Sequence, residues 1–138
     1  MNLVRSLTAC VALASIQGWA QAQATLPESP GALEYRTVSD ALGVLKSKPG
    51  VSITETKPDG WIIASEAESV VWSFTPTGHY AHPAVVRREV VVRDGNVAVE
   101  TRALCQAEKT ACDMLIREFQ ELNERMRQSI QQRMGAKR

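Results

Sequence analysis

Aromatic side chains are scarce in this sequence, at 5% of 138 residues. So few cannot supply both a core and a stacking platform for bases or sugars. Charge of one sign is lacking too. The net charge is +1, which leaves no basic field to draw nucleic acid or anionic lipid. No Gly-x-Ser-x-Gly elbow, phosphate-cradling glycine loop or His-Glu-x-x-His helix is present, so the common nucleophile, nucleotide and zinc-hydrolase signatures give catalysis no support. Carboxylates such as Glu66, Glu68 and Glu100 are scattered without a spacing that singles out a pair. No cofactor is expected.

Long apolar runs are missing except at the start. After Arg5, residues 6–20 are uncharged and mostly apolar, and small side chains follow at Ala20, Ala22 and Ala24. That layout is a cleavable export signal over residues 1–24, cut after Ala22 or Ala24. The run is shorter than the ~20 apolar residues a membrane span requires. The stretch from Leu7 to Cys10 has the form of a lipoprotein cleavage box, but it opens the apolar run where such a box closes one. Cleavage removes Arg5 and no other charge, leaving acidic and basic side chains equal in number. A periplasmic chain of about 114 residues is expected, enough for one domain and without a transmembrane segment.

Cleavage also removes Cys10, which leaves Cys105 and Cys112. An even pair in an oxidising compartment reads as a disulfide. A thiol in the first turn of a helix is also a candidate for redox chemistry, though six residues between the cysteines depart from Cys-x-x-Cys spacing.

Prolines and a glycine interrupt residues 25–34, a flexible lead-in. Thr37 with Asp40 has the form of a helix cap, and Val38, Ala41, Leu42 and Leu45 share one helical face, so a helix is expected over 37–47. Alternating strands follow at 51–56, 61–64, 70–75, 85–92 and 97–104. Asp94-Gly95 is the strongest hairpin signal. With those two residues in the turn, Arg93 pairs with Asn96 and Val90 with Val99. One hairpin face then carries Val86, Val90, Val92, Val97, Val99 and Ala103, and the other Arg87, Glu89, Glu100 and Arg102. Thr110 with Asp113 repeats the capping pattern, and Leu115, Phe119, Leu122, Met126 and Ile130 form a seam reaching about residue 132.

The fold class is therefore α+β: an N-terminal helix, a five-stranded antiparallel meander sheet, and a long C-terminal helix packed on one face. The single domain spans 35–134, with 135–138 a frayed tail. A sheet with one valine-rich and one charged face calls for helices on the apolar side only. The element order is similar to that of type III secretion chaperones, with a loop in place of their middle helix.

That loop, 76–83, is bracketed by Pro76 and Pro83 and holds His79, Tyr80 and His82. It is the candidate partner-binding segment. His79 and His82 also form a His-x-x-His pair that offers two imidazoles to zinc or copper, with no third ligand nearby in the sequence. The arginines at 87, 88, 93 and 102 are a candidate anion patch, countered by acidic neighbours on the same face. Diagonal pairing of Arg87 with Glu100 and of Glu89 with Arg102 would neutralise them.

Across residues 35–125 the chain resembles small exported proteobacterial proteins of unassigned function. The resemblance rests on the WSFTP run at 72–76, the HPAVVR run at 82–87, and the cysteine-bearing segments at 104–105 and 111–113. It implies export and the cysteine pair, and no activity. The expected function is a small periplasmic non-catalytic binding or accessory module contacting a protein partner. The alternatives are a periplasmic metal-binding protein using His79 and His82, and an enzyme of unknown reaction.

Overall fold

A computed structural model describes residues 31–138; the expected signal, its cleavage point and most of the lead-in lie outside the described residues. Helix α1 (Val38–Ser47) begins where expected. Thr37 is extended and its Oγ1 accepts the Asp40 N–H at 3.0 Å, which satisfies one of the orphan amides of the first turn. The Val38 N–H donates to Gln106 Oε1 at 2.8 Å, tying the helix start to the segment between the last strand and the C-terminal helix. Val38, Ala41 and Leu45 are buried, and Gly50 turns the chain out of the helix with φ +80°.

Five antiparallel strands follow: β2 (Val51–Glu55), β3 (Ile62–Glu66), β4 (Val70–Phe74), β5 (Ala84–Arg93) and β6 (Asn96–Cys105). They pair in sequence order as a meander. A two-residue strand, β1 (Gly31–Ala32), adds to the free edge of β6 in parallel, opposite Arg102 and Ala103. The end of the expected lead-in is thus tied to the sheet. The hairpin register is as read from the sequence: Arg93 opposes Asn96, Val90 opposes Val99, and Arg87 opposes Arg102. Asp94 and Gly95 both have positive φ, at 52° and 77°, the turn geometry that suits the twist of paired strands.

Helix α2 (Lys109–Ala136) packs on one face of the sheet, over β5 and β6. Helix α1 packs on the opposite face, over β2, β3 and β4. This corrects the expectation that both helices share one apolar side. Strand alternation supplies the reason. Val70, Trp72 and Phe74 of β4 point to the α1 side, Ala84 and Val86 of β5 to the α2 side, and Val85 back to α1. Ala84, Val85 and Val86 are all fully buried, the mark of a strand covered on both faces. Each helix covers a different part of the sheet, on opposite sides. The charged hairpin face therefore lies on the α1 side, beyond the strands α1 covers.

Helix α2 differs from expectation at its start and in its rotation. It begins at Lys109 with Glu108 as the cap residue, and no side chain caps it; the Thr110 box is not used. The buried line is Leu115, Phe119 and Asn123, while Leu122 is 39% exposed. The disulfide accounts for this phase. Cys112 must face β6, and steps of four, three and four residues from it reach Ile116, Phe119 and Asn123. Asn123 Nδ2 donates to Thr101 Oγ1 at 2.8 Å beneath the helix. Farther along, Gln131 accepts from the Val97 N–H and donates to the Gly95 carbonyl, at 3.2 and 3.3 Å, holding the hairpin tip. The helix continues to Ala136, two residues past the expected domain end. Among the described residues no helix is long and apolar enough to cross a membrane.

Candidate functional site

Loop 76–83 leaves the sheet at Thr75 and re-enters at Ala84, and the two residues clamp its base. The Thr75 N–H donates to the Ala84 carbonyl at 3.0 Å, and Thr75 Oγ1 accepts the Ala84 N–H at 2.9 Å. Inside the loop the His79 N–H donates to the Pro76 carbonyl and the His82 N–H to the His79 carbonyl, each at 3.0 Å. Two successive turns result. They drop Ala81 into the α2 core, where it is fully buried with Leu115 and Phe119. The Ala81 carbonyl oxygen lies 3.9 Å from Cys105 Sγ, so the disulfide forms part of the floor. The loop is anchored through Ala81, while Thr77, Gly78, Tyr80 and His82 remain exposed.

The two histidines have opposite tautomers. Nδ1 of His79 accepts the Ala81 N–H at 3.1 Å, and an amide only donates, so the neutral ring carries its proton on Nε2. Nδ1 of His82 lies 3.0 Å from the Thr75 carbonyl oxygen. A carbonyl only accepts, so this ring is protonated on Nδ1 and its Nε2 bears the lone pair. The His79 ring meets Trp61 edge-on at 5.0 Å, and Trp61 meets Phe119 at 6.0 Å. Burial lowers the His79 pKa below the usual histidine value; Glu118 opposes the shift and His82 adds to it.

Tyr80 stacks at 4.3 Å from the His79 ring yet is 45% exposed. Its hydroxyl pKa is raised by burial first, and then by the neighbouring Glu118 carboxylate. Met114, one helical turn before Glu118, is 44% exposed. The exposed surface at this end of α2 thus combines an aromatic ring, a thioether and a carboxylate.

The geometry bears on metal binding through the pair. A metal on Nε2 of His79 needs the ring proton on Nδ1, where the Ala81 N–H already points. Binding there requires that the loop give up an internal hydrogen bond. Among the described residues no group of three His, Cys, Asp or Glu side chains is placed to hold a metal ion.

Cys105 and Cys112 are joined in a disulfide. The bond links the end of β6 to the first turn of α2, as the sequence led us to expect.

The candidate anion patch divides between the faces. Arg88 lies on the α2 side with its guanidinium 5.1 Å from the Phe119 ring centroid, and burial lowers its pKa. Arg87 and Arg102 line a cleft of about 450 Å³ on the other side. Glu34, Glu66 and Glu89 share that cleft, so it is not an open basic groove. Arg87 pairs with Glu89 along its own strand at 2.9 Å, and Glu100 pairs with Arg93. Neither expected diagonal forms. Sequence reasoning missed the buried corner of this cleft. There Trp72 Nε1 donates to Glu66 at 3.0 Å, Lys48 pairs with Glu66, and Arg87 lies over the Trp72 ring. Alternation placed Trp72 on a face, but only the β3–β4 register brings Glu66 to it.

Fold and site together define a small disulfide-stapled α+β domain that presents one packed, aromatic-bearing loop. No protein-family model matches the chain, and no curated protein or solved structure matches it.

Proposed function

We propose that this chain is a small exported, non-catalytic binding or accessory module of the periplasm, and that it contacts a protein partner through loop 76–83. The observation that carries the reading is Tyr80. Its ring stands out from a loop clamped at both ends, on the side of α2 that carries Glu118, and Met114, one helical turn before Glu118, is exposed too. Tyrosine and methionine are enriched at interface cores. A ring already held in place loses little conformational freedom on binding. His79 supports the ring from behind, and His82 lies on the far side of the loop. The disulfide is compatible with an oxidising compartment.

Two experiments test this. Replacing Tyr80 by a photo-crosslinking benzophenone amino acid in the exported full chain should give a defined higher-mass adduct on irradiation. The same replacement at Val44, 49% exposed on α1, should not. Equal labelling at both positions, or none at position 80, rejects the loop as the interface. Intact-mass measurement of periplasmic material should show a chain beginning at Gln23 or Thr25; retention of residues 1–22 rejects export by cleavage.

A further inference from the structure

On its α1 side, loop 76–83 borders a cavity of about 420 Å³, within the size range of small-molecule sites. Its inner wall is apolar: Phe74 and Ile62 from the sheet meet Val38 and Leu42 from α1. Val38 and Phe74 are almost fully buried, so this wall is a continuation of the α1 core left open at one end. The polar groups at the rim are His82, Glu55 and the hydroxyls of Ser39 and Thr77.

The chemistry of that rim selects a ligand. The Thr75 carbonyl fixes the His82 proton on Nδ1, which leaves the Nε2 lone pair without a partner among the described residues. Glu55 presents a carboxylate, and the two hydroxyls accept as well as donate. The rim is therefore rich in acceptors, with the Glu55 charge balanced by Lys57, which pairs with it at 2.9 Å. A carboxylate ligand would set its acceptor oxygens against the open nitrogen of His82.

We infer that this cavity binds a small apolar molecule carrying an O–H or N–H donor at one end, with the donor on Nε2 of His82 and the apolar body against Phe74, Ile62 and Leu42. Burial of the body supplies affinity and the donor supplies orientation. Tyr80 is not among the lining residues, so this site stands or falls separately from the partner surface.

Titration of the full disulfide-bonded chain with 4-methylphenol and with toluene, followed by ligand-observed NMR at pH 8, tests the inference. The phenol should bind about tenfold more tightly than toluene, the worth of one net hydrogen bond. His82→Ala removes the open nitrogen and leaves no side-chain acceptor in its place. It should bring the phenol and toluene affinities together. Leu42→Trp, which fills the apolar wall, should abolish binding of both probes. Equal affinity of the two probes for the wild-type chain overturns the role of His82. Absence of binding by either overturns the site, and benzoate binding as tightly as the phenol overturns the donor selection.

Discussion

Replacing Cys105 and Cys112 together by serine removes the side-chain cross-link between the end of β6 and the first turn of α2. The cysteines are seven residues apart in sequence. For so short a loop the chain-entropy model gives about 2.5 kcal/mol of stabilisation. Cys105 also packs against the α2 core beside Ala81 and Ala84, and a half-buried hydroxyl in its place costs about 0.5–1 kcal/mol more. A loss of about 3 kcal/mol is large against a net stability of roughly 5–15 kcal/mol. For about 108 ordered residues the unfolding entropy is about 0.2 kcal/mol/K, so the midpoint should fall by about 10–15 °C. Guanidinium and thermal unfolding of the fully oxidised wild-type chain and of the variant measure this. Because the bond lies under loop 76–83, amide exchange at Ala81 should accelerate more than at Leu45. A loss below about 1 kcal/mol with Ala81 exchange unchanged refutes the clamp. If a mild reductant opens the wild-type bond without lowering stability, the redox reading takes its place.

The two cores should behave independently. Leu45→Ala and Leu115→Ala, buried on opposite faces, should each cost about 2–5 kcal/mol in guanidinium unfolding and add to within about 0.5 kcal/mol in the double variant. His79 should make folding pH-dependent. Its folded pKa is depressed, so its contribution is complete above the unfolded value near 6.5 and is lost as pH falls through that value toward the folded one. The drop in urea midpoint between pH 7.5 and 5.5 should therefore shrink in His79→Gln. Asn123→Leu with Thr101→Val replaces a buried polar pair by apolar groups and should leave stability unchanged or raise it by up to about 1 kcal/mol, read from thermal unfolding. Asn123→Ala alone should lower it, since the Thr101 hydroxyl then loses its partner and a gap opens.

Two local signals in this chain held, while a third, the Thr110–Asp113 capping box, did not. The α1 cap depends on Thr37 and Asp40, three residues apart, and the hairpin register on Asp94-Gly95; both were readable and both are present. The placement of the helices was not local. Whether α1 covers the same face as α2 depends on which side of β4 carries Trp72 relative to the side of β5 carrying Val86, and hence on the β4–β5 register across loop 76–83. Seen alone, the hairpin has one apolar face and one charged face, which suggests a one-sided sheet. Only when Ser73 is set opposite Val86, and Phe74 opposite Val85, do the large side chains of β4 fall on the opposite face from Val86. The rotation of α2 was partly legible. Leu122 fits the seam by periodicity, yet Cys112, already assigned to a bond with β6, sets a phase that buries Asn123 instead.

The site was legible as a place before it was legible as chemistry. Pro76 and Pro83 mark the loop, and His79, Tyr80 and His82 are its chemically distinctive side chains. Spacing treats the histidines as equivalent, and the structure makes them opposites. The partner of each ring is a main-chain group, the Ala81 amide in one case and the Thr75 carbonyl in the other. Every residue but proline carries both kinds of group, so no residue type signals the difference. What decides it is the course of the loop, and that course depends on Ala81. A residue between two half-exposed aromatic rings and an exposed histidine looks like surface, yet its side chain is fully buried against α2. A larger side chain at position 81 would be driven out of that core. The Ala81 amide would then leave His79 Nδ1, releasing the tautomer and the support behind Tyr80 together. Ala81→Leu should accordingly lower stability by about 1–3 kcal/mol and raise the His79 pKa toward its ordinary value in an NMR titration. If stability falls while the His79 titration stays where it was, the seating of Ala81 is not what keeps the His79 ring in its buried place.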